Sequence, residues 1–208
     1  MNKNLKLAIQ VLFYGSIWGA LEASIGHVLH FIPATIAGSI MFPIAGLILY
    51  KAYNKTNSKV ALFYIGLVAA VIKSVDFLLP QLSIYKTINP MISIILESLV
   101  VVAVISILTS PSLEKKYIAL PIASLSWRTL FIAWMGLQSV LTGNVAPYIK
   151  DISLGFEFVV ISGLISGVMA SILIYFDSLV RFSFKKLDYS PYIASFIFII
   201  ACILTYTL

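Results

Sequence analysis

Residues 88–109 read INPMISIILESLVVVAVISILT, 22 residues with one ionisable side chain, Glu97. A helix rises about 1.5 Å per residue, so a run of this length crosses the roughly 30 Å hydrocarbon core of a bilayer. The same reading recurs on both sides of it. Apolar stretches at about 7–30, 34–51, 59–79, 88–109, 117–142, 153–178 and 190–207 alternate with connectors that carry Pro, Gly, Asn and charge. The pattern predicts an all-α polytopic transmembrane bundle of about seven spans, with six as the nearest alternative, forming one integral membrane domain over residues 1–208.

Composition agrees. Of 208 residues, 61% are hydrophobic and 11% charged, and the mean hydropathy is +1.03, whereas soluble domains run at about 45–50% apolar and about 25% charged. A water-soluble globule is excluded, and so is disorder, because a chain this apolar would collapse or insert. One cysteine, Cys202, rules out an internal disulfide. The net charge of +6 would suggest nucleic acid in a soluble protein, but the cations sit at the ends of the apolar runs. Ten Lys and Arg fall in connectors on one side and two, Lys86 and Lys150, on the other. The positive-inside rule then predicts a multi-pass protein of the cytoplasmic membrane, N-terminus cytoplasmic and C-terminus outside, with the lipid bilayer and not nucleic acid as its partner. Lys3 and Lys6 ahead of an apolar run resemble a signal peptide, yet that run continues past Glu22 and reads as an uncleaved first helix. No P-loop is visible, so energy from ATP would have to come through a partner.

An ionisable group at mid-membrane costs about 2.5–3.5 kcal/mol on insertion scales and needs a partner, a wet cavity or a role. Glu22 in span 1, Lys73 and Asp76 in span 3, Glu97 in span 4, Arg128 in span 5 and Glu157 near the start of span 6 make that set. Four acids and two bases cannot pair one to one, which leaves a proton, a metal or a cationic ligand to balance the remainder. On span 1, Gly15, Gly19, Glu22, Gly26 and His30 fall within about 80° of one another at about 100° per residue. Two readings stay open there: close packing with Glu22 bonded to Lys73 or Arg128, or a ligand cavity with Glu22 in its wall. Lys73 and Asp76, three apart, can pair along one helix face. Glu97 and Arg128, on successive spans, are expected to bridge. Trp127 beside Arg128 can stack on a ligand or on the guanidinium, while Trp18 and Trp134 read as core or lipid-facing. Ser162, Gly163, Ser166, Gly167 and Ala170 form a close-packing stripe on span 6. His27 and His30 could present two imidazoles to one metal, without an HExxH pattern or a nearby cysteine. A rhomboid-like Gly-x-Ser-Gly serine is missing, and no His follows residue 30. The residues favour a binder over an enzyme, and no cofactor is expected.

The string Gly19-Ala-Leu-Glu22-Ala-Ser-Ile-Gly26-His-Val-Leu-His30, followed by Pro33 and Gly38, then Lys73 and Pro90-Met91-Ile-Ser-Ile-Ile-Leu-Glu97, resembles a group of small bacterial multi-span membrane proteins. Those in turn look like the substrate-binding S-components of energy-coupling-factor (ECF) transporters. The likeness covers roughly residues 10–135. It implies a membrane binder of one small molecule, such as a vitamin, a precursor or a metal, docked on a coupling transmembrane subunit driven by ATPases. Joined to the polar residues above, it makes Glu22, Lys73, Asp76, Glu97, Trp127 and Arg128 the candidate substrate-binding set. S-components usually have six helices with both termini cytoplasmic, and the stripe Gly15, Gly19 and Ala23 stands where their Ala-rich coupling motif would be. Two alternatives remain: a membrane-embedded enzyme acting on lipid or peptide through Glu22, His27 and His30, or through a Glu22–Glu97 pair, and a structural subunit that uses its Gly-rich stripes against partner helices.

Overall fold

Each apolar run folds as helix in a computed structural model that describes residues 2–29, 34–110, 112–180 and 187–208. Helix α1 spans Lys3–Leu29, α2 Ala34–Thr56, α3 Lys59–Lys73 with a 3-10 turn over Ser74–Leu78, α4 Ile84–Leu108 and α5 Leu113–Thr142. Gly143, with φ 73° in the left-handed region, ends α5. Two short helices follow, α6 (Pro147–Lys150) and α7 (Ile152–Phe156), then a π turn over Glu157–Ile161, α8 (Ser162–Val180) and α9 (Pro191–Thr207). No strand occurs among the described residues. Five described helices are long and apolar enough to cross a membrane: Lys3–Leu29, Lys59–Leu78, Ile84–Leu108, Tyr117–Thr142 and Ile152–Leu179. Helix α9 is apolar and shorter, at 17 residues.

Local chemistry sets several boundaries. The hydroxyls of Ser58 and Ser190 accept from the backbone N–H of Ala61 (3.2 Å) and Ile193 (3.4 Å), closing the first turns of α3 and α9. Asp151 Oδ1 does the same for Ser153 N at 2.8 Å and starts α7. Helix α4 begins at Ile84, earlier than the sequence expectation, and carries Pro90 inside it. Proline has no N–H to return to the carbonyl four residues back. Inside a membrane such a break is tolerated where the freed carbonyl meets a polar space, and Pro90 borders two cavities.

Packing closes six of the helices into a ring: α1 lies on α3, α3 on α4, α4 on α5, α5 on α8, α8 on α2, and α2 back on α1, with α9 outside against α1. Lipid tails are as apolar as leucine, so close van der Waals contact rather than the hydrophobic effect holds such crossings. Glycines sit where that contact is tightest. A Cβ on Gly15 would fall 2.6 Å from Val68 Cβ, and one on Gly19 would fall 2.6 Å from Ile72 Cδ1. This half of the α1 stripe is therefore helix packing. On α8, Gly167 admits the backbone of Pro121, and a Cβ on Gly163 would lie 2.9 Å from Leu125 Cδ2, as the close-packing reading of that stripe expects. The core is apolar, yet so is the outer surface: Leu99, Ile107, Leu130 and Phe196 are exposed, while Arg128 is fully buried. Water penalises such a surface and lipid does not.

The two ends of the ring differ. Where α1 begins and α2 and α8 finish, Lys51 pairs with Asp177, and Lys55 Nζ lies 3.8 Å from Asp188. Lys6 Nζ sits 4.4 Å above the Tyr189 ring. The opposite end carries the turns after α3 and α5, and the two adjoining cavities that Lys73, Asn89 and Pro90 border.

Candidate functional site

Toward that second end, Glu22 of α1, Lys73 at the end of α3 and Ser93 and Glu97 of α4 line one cavity of about 200 Å³. Its other wall is aromatic: Trp127 and Phe131 from α5, Tyr148 from α6 and Phe158 from the π turn. The rings of Trp127 and Phe158 meet edge to face at 6.0 Å, and Tyr148 stacks on Phe158 at 4.7 Å. A π turn inserts an extra residue per turn and re-aims the side chains and carbonyls around it. Here it delivers the Phe158 ring to the cavity.

Each charged group is held differently. Ser93 Oγ donates to Glu97 Oε1 at 3.2 Å, one helical turn back on α4. Lys73 Nζ donates to Asp76 Oδ2 at 2.9 Å, the pairing along one face that the spacing suggests. Glu22 makes no hydrogen bond or ion pair among the described residues, so its expected bond to Lys73 or Arg128 does not form. Gly26, one turn on, is not wedged against another helix: a Cβ there would meet only Glu22, at an ordinary contact distance of 3.6 Å from Oε1. The two readings of the α1 stripe thus divide along the helix, with packing at Gly15 and Gly19 and cavity wall from Glu22 to Gly26.

A second cavity of about 630 Å³ adjoins the first and shares Lys73, Asn89 and Pro90 with it. Asp76, His27, Gln81 and Tyr85 line it, and it lies by the turn between α3 and α4. Lying nearer the end of the bundle, it is the vestibule of the pair, and the deeper first cavity is the inner chamber. His27 therefore borders the vestibule, while His30, its proposed metal partner, lies outside the described residues. No three His, Cys, Asp or Glu side chains converge as a metal set among the described residues.

Arg128 departs from expectation. Glu97 and Arg128 form no ion pair within bonding distance. The guanidinium instead lies behind the aromatic wall, 4.7 Å from the Trp127 ring and 4.8 Å from the Phe158 ring. Its Nη1 donates to the Phe158 carbonyl at 3.1 Å and its Nη2 to Ser39 Oγ at 3.5 Å. A backbone acceptor within the π turn has taken the place of the carboxylate. Arg128 and Glu97 remain electrostatic neighbours across the wall, so Arg128 acts on the chamber through the field and not by lining it. Glu157 is exposed, and Trp18 is core.

Charge counting singles out Glu22, Lys73 and Glu97, but it overlooks Asn89, Phe131, Tyr148 and Phe158. Asn89 Oδ1 accepts from Trp134 Nε1 at 3.0 Å, so its amide NH2 is left for other partners; its place directly before Pro90 is the one signal it carries. Burial pushes the Tyr148 phenol above the usual tyrosine range, against the opposing pull of Arg128. Tyr148 stays a neutral hydroxyl at physiological pH. The site offers two carboxylates, an amine already paired, amide and hydroxyl groups, and four aromatic faces. That inventory suits holding a small molecule with a polar head and a flat body. Comparison with family models, curated proteins and solved structures finds no match to the chain.

Proposed function

We propose that this chain is a multi-pass protein of the cytoplasmic membrane that binds one small molecule in the inner chamber and passes it across the bilayer in the manner of an ECF S-component, docked on a coupling subunit driven by ATPases. One observation carries the reading: charged side chains from α1, α3 and α4 and aromatic ones from α5 to the π turn converge on a single cavity with a vestibule. Ionisable groups inside a membrane cost about 2.5–3.5 kcal/mol each on insertion scales. A bundle with no ligand has no use for gathering them.

Further support comes from the ring of six helices, which fits a six-helix binder with α9 as an addition on its outside. We read seven crossings with the N-terminus in the cytoplasm. The cluster of Lys6, Lys51 and Lys55 at the N-terminal end of the bundle accords with the positive-inside rule. In that orientation the vestibule opens outward, where an imported substrate arrives. Affinity purification of the tagged chain in mild detergent tests the reading. Recovery with a transmembrane coupling subunit and ATPases is expected. Recovery alone, with no change in melting temperature across vitamins, vitamin precursors, purines and divalent metals, would contradict it.

A further inference from the structure

We infer that the chamber takes a small organic monocation with a flat, unsaturated body, its charge between Glu22 and Glu97 and its plane against Trp127, Phe131 and Phe158. The inference rests on the binding role proposed above and names the class of ligand.

Charge is the first argument. Around the chamber stand three carboxylates, Glu22, Asp76 and Glu97, and two cations, Lys73 and Arg128. Lys73 is held by Asp76 at 2.9 Å, and Arg128 is turned to the Phe158 carbonyl behind the wall. The two carboxylates that face the cavity therefore lack a contact cation, since Lys86, the further cation nearby, lines only the vestibule. Glu97 is only 4% exposed. One of its oxygens accepts from Ser93, and the other has no hydrogen-bond partner among the described residues. A buried carboxylate so placed is stable when a cation or a proton arrives. A metal ion would need a converging ligand set, which the described residues do not supply. An anion would face two carboxylates.

Shape is the second argument. Ring faces carry negative potential and attract a cation, more strongly where water is excluded. The acidic and aromatic walls thus act on the same positive charge, while the apolar body of the ligand covers the rings. At about 200 Å³ the chamber falls below the roughly 300–1,000 Å³ of pockets for drug-sized ligands, so the occupant is about the size of a single ring with its substituent. The wider vestibule borders the chamber at Lys73 and Asn89.

Three probes of one shape and different charge test this on the full chain in detergent: benzamidinium, benzamide and benzoate, followed by quenching of tryptophan fluorescence and by melting temperature. Benzamidinium is expected to bind at least about tenfold more tightly than benzamide, the order of one charge-assisted contact, and benzoate not to bind. Glu22→Gln and Glu97→Gln are expected to remove the preference for benzamidinium over benzamide. Benzamide or benzoate binding as well as benzamidinium would overturn the ligand class and leave the chamber as a binding site. Failure of all three to bind would overturn the ligand class as well. If Glu22→Gln and Glu97→Gln also raise the melting temperature and leave native co-purification with ATPases unchanged, the binding role of the chamber falls too.

Discussion

Lys73 and Asp76 form a 2.9 Å ion pair at the seam between the inner chamber and its vestibule: Lys73 borders both cavities, Asp76 only the outer one. The pair stands one turn apart where α3 tightens into a 3-10 turn, and its side chains are 12% and 7% exposed. Asp76 thus holds the Lys73 ammonium in an ion pair at the vestibule, and Lys73 forms none with Glu22 across the chamber.

Asp76→Asn should release that ammonium toward Glu22. Breaking one side of a buried ion pair costs up to about 3–5 kcal/mol, so the melting temperature in detergent should fall, and cationic probes should bind more weakly because Lys73 now neutralises the chamber. The double change Lys73→Met with Asp76→Asn should recover most of the stability. Equal destabilisation by the single and double variants would show that the pair is not coupled.

The α1 stripe gives a contrast along one helix. Gly19→Val drives side-chain atoms into Ile72 and should cost about 1–3 kcal/mol, the range for overpacking. Gly26→Ala adds a methyl at ordinary contact distance from Glu22 and should leave the melting temperature nearly unchanged while weakening ligand binding. Thermal unfolding and fluorescence titration of the two variants check both halves. A Gly26→Ala protein as unstable as Gly19→Val would mean that the stripe is packing throughout.

Arg128→Lys keeps the charge and loses the fork that reaches the Phe158 carbonyl and Ser39. An unsatisfied buried carbonyl costs about 1–3 kcal/mol. The variant should melt earlier, and its tryptophan emission should shift as Trp127 loses the guanidinium beside it. Unchanged melting and emission would remove Arg128 from its supporting role.

Orientation can be read by labelling. In a Cys202→Ser background, Asn144→Cys in the turn after α5 should react with a membrane-impermeant maleimide on intact cells, and Asn57→Cys between α2 and α3 only after permeabilisation. The reverse pattern would invert the topology.

The helices were legible because bilayer thickness fixes the length of an apolar run, and the α3 and α5 runs end at residues such as Pro80 and Gly143 that the sequence displays. Glu22, Lys73 and Glu97 were legible for the same reason, since a charge in an apolar run stands out. The aromatic wall was not, because Phe131 and Phe158 look like any lipid-facing phenylalanine until the π turn, which has no sequence signature, aims one of them inward. Arg128 misled for a related cause. Matching charges by sign anticipates a carboxylate partner, while the backbone carbonyl of Phe158 carries no mark in the sequence.

Glu97 offers the most direct test of the chamber, because a mid-helix residue is reachable from water only if a polar cavity leads to it. In a Cys202→Ser background, Glu97→Cys should be modified in intact cells by a small, positively charged, membrane-impermeant methanethiosulfonate, and benzamidinium should slow the reaction. Modification only by lipid-soluble reagents, or by none, would mean that Glu97 sits in closed packing and that no ligand chamber exists there.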